Sequence, residues 1–251
     1  MQISNRTVLI TGGATGIGYA MAEAFLAAGS KVAICGRRKK RLDEARARHP
    51  KLLCYVCDVS DENDRRGLVE WAASELPGLN TLINNAGVQR DIDLSAGLDE
   101  FLAGENEIRI NLESVVVLTG LFAPHLAKMG DGAIIYVSSG LGFVPAAKMP
   151  VYCASKAGIH AFAMAMRWQL KRVGVKVFEV IPPAVDTELN PAGRAKRGNF
   201  KAGLDARTFV SAMMEGLRRD AAEIGCGMTE DFLHASRDEL NERFERMNAS
   251  M

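Results

Sequence analysis

Short apolar runs rich in β-branched residues alternate along the chain with longer segments of helical periodicity. The apolar runs predict strands over 8–10, 31–35, 52–56, 79–83, 133–137, 175–181 and 222–224. The periodic segments predict helices over 16–28, 38–48, 61–76, 104–128, 152–172 and 208–219. Such alternation favours right-handed crossovers and a mainly parallel sheet covered by helices on both faces. We therefore predict one doubly wound α/β domain with about seven strands over residues 1–251.

Two segments stand outside this alternation. Residues 187–207 are long, polar and glycine-containing, and we predict that they form a substrate lid, because long loops in compact domains are usually functional or disordered. Their basic side chains permit an anionic substrate or are a solvated charge run. Residues 228–251 are predicted to be a helical extension with one apolar stripe. That stripe packs on its own domain or lies at a subunit interface.

Composition and charge exclude several classes of function. The 251 residues carry a net charge of +1, which gives no argument for binding nucleic acid or an anionic membrane surface. No stretch of about 18 apolar residues appears, so we expect no membrane span, and the first apolar run is too short for a signal-peptide core. The odd, scattered set of five cysteines is typical of a reduced, cytoplasmic protein. Cys54 and Cys57 lie three apart on a predicted strand, so they point to opposite faces and share neither a disulfide nor a metal.

A glycine-rich turn follows the first strand and opens the first helix. Its spacing is Gly-x-x-x-Gly-x-Gly, and in this position it predicts a dinucleotide site rather than merely a tight turn. Glycines permit close backbone approach, and the helix N-terminus offers unpaired N–H groups to a pyrophosphate. The predicted cofactor-binding residues of this turn are Gly12, Gly13, Thr15, Gly16, Ile17 and Gly18.

The end of the second strand bears on the choice of cofactor. An NAD site usually places an acidic residue there for the ribose 2′-hydroxyl. Here the strand ends in Gly36, Arg37 and Arg38. A glycine leaves room for a 2′-phosphate and an arginine pairs with it bidentately, so NADP(H) is predicted, with NAD(H) as the alternative. The competing interpretation is that the arginines begin a basic, solvated helix face.

Three further strands end in residues suited to a ligand at the carboxyl edge of the sheet. Asp58 and Val59 follow the third strand, where Asp58 accepts a hydrogen bond from an adenine amino group or is simply a turn residue. The fourth strand ends in Asn84 and the predicted cofactor-binding residues Asn85, Ala86 and Gly87. After the fifth strand, the hydroxyl of Ser138 or Ser139 is suited to donate to a substrate oxygen where charge develops.

Tyr152 and Lys156 lie one turn apart on a predicted helix. A phenol has an unperturbed pKa of about 10, and a nearby cation favours the phenolate and lowers that value. The pair is therefore suited to passing a proton to or from a carbonyl or alcohol oxygen. By itself this spacing also fits an ordinary exposed helical pair.

Taken together, these residues resemble the classical short-chain dehydrogenase/reductase family, with a Rossmann-type fold, over about residues 5–225. The matching marks are the glycine turn, Asn84–Gly87, Asn111, Ser139 thirteen residues before Tyr152, and Lys156. Stretches around Ile34–Arg37, Pro150–Cys153 and Pro182–Thr187 are also similar to the DltE-like oxidoreductases of that family.

The resemblance implies a role for each matching position. Tyr152 is expected to be the general acid or base, Ser139 to polarise the substrate carbonyl, and Asn111 to position a water that links Lys156 to solvent. Lys156 lowers the tyrosine pKa and bonds the nicotinamide ribose. Pro182, Val185 and Thr187 are implied in nicotinamide binding. Pro183 departs from the family pattern, because a glycine is usual there and proline fixes φ.

The predicted function is that of an NADP(H)-dependent oxidoreductase that interconverts a carbonyl and a secondary alcohol of a small molecule. The alternatives are an NAD-dependent dehydrogenase of the same family, a non-catalytic dinucleotide-binding regulatory protein and, less well matched, a nucleotide-sugar epimerase. The family resemblance further implies a homodimer or homotetramer built partly on the helices at 104–128 and 152–172. No metal site is predicted, because the four histidines show no ligand spacing.

Overall fold

A computed structural model describes residues 1–196, 198 and 203–249. The strands are β1 Thr7–Thr11, β2 Lys31–Gly36, β3 Leu53–Val56, β4 Thr81–Asn84, β5 Ala133–Val137, β6 Lys176–Val180 and β7 Glu223–Ile224. The helices are α1 Gly16–Ala27, α2 Lys39–Arg48, α3 Glu62–Glu75, α4 Asp99–Leu102, α5 Ser114–Lys128, α6 Pro150–Lys171, α7 Pro191–Lys196, α8 Ala206–Arg218, α9 Met228–Phe232 and α10 Arg237–Asn248. Up to residue 224, every predicted element except the helix at 104–128 has its ends within two residues of those observed.

Within the described residues the seven strands form one parallel sheet in the order β3-β2-β1-β4-β5-β6-β7. The chain moves outward from β1 to β3 and then returns to place β4 on the other side of β1. This reversal opens a crevice at the carboxyl ends of β1 and β4, which is where ligands bind in open α/β sheets. The predicted fold class is therefore confirmed.

Helices cover both faces of the sheet, and the residues of β1 show how. Val8 and Ile10 pack in one core with Phe209 of α8. Leu9, between them, points to the opposite face and packs with Phe122 of α5. All five side chains are almost fully buried, and each contributes about 1.5–3 kcal/mol relative to an exposed position. Strand residues that are apolar on both faces are what a sheet covered on both sides requires.

The helix predicted from residue 104 begins later than expected. Residues Asp99–Leu102 form the separate short helix α4, and a π-helical turn at Arg109–Glu113 leads into α5. Asn106 provides the start, because its side-chain oxygen accepts a hydrogen bond from the Arg109 backbone N–H at 3.0 Å.

The C-terminal extension is two helices rather than one. Ser236 and Glu239 form a capping box at the start of α10, which separates it from α9. The side chain of Asn248, at the end of α10, donates to the Pro145 carbonyl at 3.1 Å and accepts from the Ala147 backbone N–H at 2.8 Å. The extension thus contacts its own domain through Asn248, whereas Phe244 and Met247 of the predicted apolar stripe are 38% and 42% exposed.

Within the described residues, the helical segment Arg109–Lys128 is apolar and long enough to cross a membrane when only length and composition are considered. Leu118, Phe122 and Leu126 of this segment are buried in the core beside the sheet. Core helices of globular proteins commonly meet the same criteria, so the segment is weak evidence for a membrane.

Candidate active site

The glycine-rich turn between β1 and α1 forms one wall of a cavity of about 910 Å³ at the carboxyl edge of the sheet. Gly12 and Gly16 have φ of +64° and +56°, which side-chain-bearing residues disfavour. A Cβ on Gly12 would lie 2.8 Å from the Ala86 Cα, so the turn and the end of β4 are in direct backbone contact. Helix α1 begins at Gly16, and its N-terminus therefore faces the cavity.

Two of the residues predicted to bind the cofactor hold the glycine-rich turn against neighbouring parts of the sheet. Gly13 does not line the cavity; a Cβ there would lie 2.4 Å from Ile34, so this glycine allows the turn to pack on β2. The Asn85 side chain donates to the carbonyls of Thr11 and Gly12 at 2.9 and 3.1 Å. Asn85 also lines the cavity, so it fastens the turn to β4 while remaining beside the site.

The end of β2 brings two arginines to the cavity, and carboxylates from distant segments pair with both. Arg37 forms an ion pair with Glu105, which precedes α5. Arg38 pairs with Glu188 at 3.1 Å and also donates to Thr15 Oγ at 3.1 Å. A Cβ on Gly36 would meet no atom within 4 Å, so open space lies beside the arginines. Both arginines therefore line the cavity, and their side chains are also about half exposed.

Asp58 and Val59 line the cavity beyond β3, as predicted. One Asp58 carboxylate oxygen accepts hydrogen bonds from the Ser60 backbone N–H at 2.9 Å and from its hydroxyl at 2.7 Å. Burial opposes ionisation of Asp58, but these hydrogen bonds prevail and lower its pKa. Asp58 is thus a turn residue that also presents a charged group to the cavity.

Ser139 and Tyr152 lie together at the opposite end of the cavity. The Ser139 hydroxyl lies close enough to the Tyr152 phenol to favour its ionisation, and both side chains are at least nine-tenths buried. Ser138 is directed elsewhere, because its hydroxyl donates to the buried carboxylate of Glu179 at 2.5 Å. The geometry therefore agrees with the selection of Ser139 over Ser138.

Lys156 lies beside the tyrosine but does not lower its pKa in this structure. Its Nζ is 5.7 Å from the centroid of the Tyr152 ring and donates to the Val137 carbonyl at 2.8 Å. Burial raises the pKa of Tyr152 above its ordinary value and lowers that of Lys156 to about 8. The expected shift of the phenol toward neutrality is therefore not found in these surroundings, where desolvation of the buried phenol is the largest influence on its pKa.

Asn111 does not line the cavity but is linked to it through neighbouring groups. Its side chain accepts from the Val88 N–H at 2.8 Å and donates to the Val88 carbonyl at 2.9 Å and to Ser155 Oγ at 3.0 Å. A Cβ on Gly87 would lie 3.3 Å from Asn111 Oδ1 and 3.7 Å from Lys156 Nζ. Asn111 and Lys156 therefore meet around this glycine. Asn111 lies in a π-helical turn, a distortion that is often found at functional sites.

The sequence analysis missed Glu107, which lies one turn before Asn111. Its fully buried carboxylate accepts from the Arg90 backbone N–H at 3.0 Å, and its other oxygen has no partner within the described residues. Burial raises the pKa of Glu107 to about 7. Glu107 and Asn111 together hold the backbone after β4, because residues four apart on a helix match residues two apart on an extended segment. The four-residue spacing of Glu107 and Asn111 was the signal in the sequence that could have identified Glu107.

The remaining predicted residues lie after β6. Pro182, Val185 and Thr187 all line the cavity, as does Pro183. The Thr187 hydroxyl accepts from the Leu189 backbone N–H at 3.2 Å. The predicted lid at 187–207 falls partly on residues 197 and 199–202, which lie outside the described residues. Its first part, including Glu188, lies along the cavity.

Comparisons with known proteins agree with this geometry. The family model described as short chain dehydrogenase matches residues 6–198. The chain is 43% identical over 248 residues to the oxidoreductase DltE of Bacillus subtilis, an alignment that covers 99% of this chain and 98% of that protein. It is 34% identical over 227 residues to 15-hydroxyprostaglandin dehydrogenase [NAD(+)] of mouse, covering 86% of this chain and 80% of that protein. A crystal structure of a short chain dehydrogenase from Burkholderia cenocepacia in complex with NADP is 28% identical, with a TM-score of 0.81 and coverage of 97% and 99%.

Proposed function

Because the chain belongs to the short-chain dehydrogenase family of NAD(P)-dependent oxidoreductases, we propose that it interconverts a carbonyl and a secondary alcohol with Tyr152 as general acid–base. The observation that carries this proposal is the placement of the Ser139 hydroxyl next to the Tyr152 phenol, with Lys156 beside them, at the end of the cavity. Two hydroxyls that meet at one point form a site for a single substrate oxygen. A regulatory protein that only bound a dinucleotide would not need this pair.

The cavity fits a dinucleotide at its other end. Gly12, Gly16 and Gly18 keep side chains away from the turn, and the start of α1 would hold a pyrophosphate. A bound nicotinamide cofactor would donate or accept the hydride, while the protein supplies orientation and electrostatics. The residues after β6, including Val185 and Thr187, would hold the nicotinamide end.

In the direction of reduction, Ser139 donates a hydrogen bond to the substrate oxygen and Tyr152 transfers its proton to that oxygen as negative charge develops. The Lys156 ammonium group stabilises the resulting phenolate. Tyr152 then regains a proton from solvent through Lys156 and the groups around Asn111. Oxidation of an alcohol follows the same steps in reverse, with the phenolate as base.

We propose NADP(H) as the preferred cofactor on the basis of Gly36, Arg37 and Arg38. A 2′-phosphate would replace Glu105 and Glu188 as the partner of the two arginines. The pairs are half exposed, so their loss costs about 0–1 kcal/mol each, less than a charge-assisted phosphate contact returns. NAD(H) is the second candidate, since the mouse relative is named for NAD(+).

A fluorescence titration of the purified protein with NADPH and with NADH tests this proposal. We expect tighter binding of NADPH, followed by oxidation of NADPH when carbonyl compounds are added. Tighter binding of NADH would reverse the assignment of the cofactor. Binding of neither would contradict the oxidoreductase mechanism proposed here.

Replacement of Arg37 with alanine is expected to weaken NADPH binding about 10-fold while changing NADH binding less than 2-fold. The expected loss is that of one charge-assisted hydrogen-bonded pair to the 2′-phosphate, about 1.5–3 kcal/mol, partly offset by release of Glu105. Titrations with both cofactors measure it. Arg46→Ala on α2, outside the cavity, is the matched control. Equal losses for the two cofactors would rule out the phosphate assignment.

We also propose a cytoplasmic homodimer or homotetramer that uses the outer faces of α5 and α6. Val116, Met164 and Trp168 on these helices are 41%, 53% and 77% exposed. Apolar side chains clustered on a helix surface are typical of subunit contacts. Light scattering is expected to give at least twice the 27.2 kDa chain mass, and Trp168→Glu is expected to lower it. A monomer would contradict this assembly.

A further inference from the structure

The cavity extends past Ser139 and Tyr152 into a part that the cofactor residues do not form. Apolar side chains from three segments make its wall: the loop before α6, helix α9 and the end of α10. They are Leu141, Ala146, Met149, Met228, Phe232 and Met247. The C-terminal extension therefore contributes directly to the space where a substrate would lie.

This apolar wall begins at the catalytic groups. Tyr152 packs in one cluster with Ala146 and Met149. On the other side, a Cβ on Gly140 would lie 2.7 Å from Thr229 and 3.2 Å from the Phe232 ring. Helix α9 thus lies against the residue that follows Ser139, and a substrate carbonyl at Tyr152 would have the wall beside it.

The outer part of the wall is held in place yet open to water. Asn248 is hydrogen bonded to the backbone at Pro145 and Ala147. Met228 and Met247 remain 57% and 42% exposed. Methionine side chains are flexible and polarisable, so they adapt to chains of different shape. An apolar substrate that covers them would gain the free energy of burying this surface.

The charged groups at this end of the cavity are positive. Lys148 lines the cavity, is exposed and has no ion pair with any described residue. Arg90 also lines it, and its guanidinium donates to backbone carbonyls at Phe101 and Glu105. The carboxylate of Glu107 lies near Arg90, but burial raises its pKa to about 7, so it offsets that charge only in part. The carboxylates that line the cavity, Asp58, Glu105 and Glu188, belong to the cofactor half, and the last two are paired with arginines there.

We infer that the substrate is a ketone or secondary alcohol on an apolar carbon chain whose far end carries a carboxylate. The inference rests on the proposed function for the reacting carbonyl and on this wall for the rest of the molecule. The chain lies along the methionines of α9 and α10, and the carboxylate lies near Lys148. A polar sugar would leave the apolar wall uncovered, and a cationic chain would face uncompensated positive charge.

Calorimetric titration with unreactive probes tests the ligand class without relying on turnover. The probes are butanoate, octanoate and octylamine, each with and without NADPH. Each buried methylene strengthens binding about fourfold, so octanoate is expected to bind at least 10-fold more tightly than butanoate. Octanoate is also expected to bind more tightly than octylamine. Equal affinity for the two acids, or a preference for the amine, would overturn the inference.

Two substitutions separate the contribution of the apolar wall to ligand binding from that of the Lys148 charge. Met247→Ser is expected to weaken octanoate about 3- to 10-fold and butanoate little, while Val173→Gln, an exposed apolar position outside the cavity, changes neither. Lys148→Gln is expected to reduce the preference for octanoate over octylamine several-fold, with the exposed Lys51→Gln as its control. Unchanged selectivity in Lys148→Gln would remove the carboxylate from the inference.

Turnover of 7-oxooctanoate and of 2-butanone, measured with both cofactors, distinguishes this inference from the proposed function. A higher kcat/KM for 7-oxooctanoate supports both. Turnover of 2-butanone with no advantage for the longer acid overturns the substrate class and leaves the oxidoreductase function standing. Tight octanoate binding without turnover of either ketone contradicts the carbonyl chemistry and leaves the ligand class supported.

Discussion

Replacement of Tyr152 with phenylalanine is expected to reduce turnover at least 10³-fold while NADPH binding stays within a few-fold. The substitution removes only the phenolic oxygen, and phenylalanine fills the same buried position between Met149 and Cys153. Proton transfer by a positioned side chain contributes about 10²–10⁴-fold to a rate. Loss of the oxygen also removes one of the two hydroxyls that would contact the substrate oxygen. Steady-state rates and a fluorescence titration measure the two effects separately.

Tyr55→Phe is the matched control for this substitution. Tyr55 lies on β3, stacks on Trp71 with ring centroids 5.0 Å apart and does not line the cavity. It loses the same atom in the same kind of change, so its turnover is expected to stay near that of the unsubstituted protein. Near-normal turnover of Tyr152→Phe would exclude the tyrosine as general acid–base. A large loss of cofactor binding would instead assign it a structural role.

The hydrophobic pattern was sufficient to predict the strands of the sheet and most helix ends, because local periodicity and burial agree along this chain. Val8, Leu9 and Ile10 illustrate this: three consecutive apolar residues make sense only in a strand covered on both faces. The glycine turn was predictable for a similar reason. Its chemistry depends on residues that are neighbours along the chain, and its context between strand and helix is local.

Contacts between distant segments could not be predicted in the same way. Glu105 precedes α5 and Glu188 follows β6, yet each pairs with an arginine at the end of β2. Nothing in a local pattern indicates which carboxylate reaches a given arginine across a cavity. The support of the glycine turn by Asn85 is of the same kind, since its hydrogen bonds join residues more than 70 positions apart.

Some errors came from local signals that were present in the sequence and were not used. Ser236 and Glu239 have the spacing of a capping box, which marks the start of α10 inside the predicted single helix. Asn106 similarly marks the start of the helical segment before α5. Glu107 and Asn111 share a helix face, and their spacing would have indicated that both side chains reach one neighbouring segment, which the structure shows to be the backbone after β4.

The spacing of Tyr152 and Lys156 predicts their proximity but not the dielectric environment around them. The attraction of a lysine for a phenolate was expected to dominate, whereas burial shifts both groups toward their neutral forms. Lys156 is 4% exposed, and its Nζ has the Val137 carbonyl as a partner rather than a carboxylate. The lysine that we propose as a catalytic group is therefore held at a cost in stability.

Replacement of Lys156 with methionine is accordingly expected to stabilise the unliganded protein while it lowers turnover at least 10²-fold. Burial lowers the pKa of Lys156 to about 8, against about 10.4 in an unfolded chain. The unfolded state therefore binds more protons between these values, and the stability of the unsubstituted protein rises with pH through this window. Below pH 8 both states are protonated and the penalty is complete, at about 3 kcal/mol. Methionine removes the charge and keeps an unbranched chain of similar length.

Urea unfolding of both proteins at pH 7 and pH 10 measures this penalty. At pH 7 the methionine variant is expected to be more stable by up to about 3 kcal/mol, and at pH 10 the difference is expected to be small. Lys176→Met is the control, because Lys176 is 54% exposed and paired with Asp220, so its removal is expected to stabilise at neither pH. A loss of stability at pH 7 in Lys156→Met would mean that the hydrogen bond to Val137 outweighs the burial of the charge. A gain that persists unchanged at pH 10 would mean that improved packing, and not the ammonium group, accounts for it.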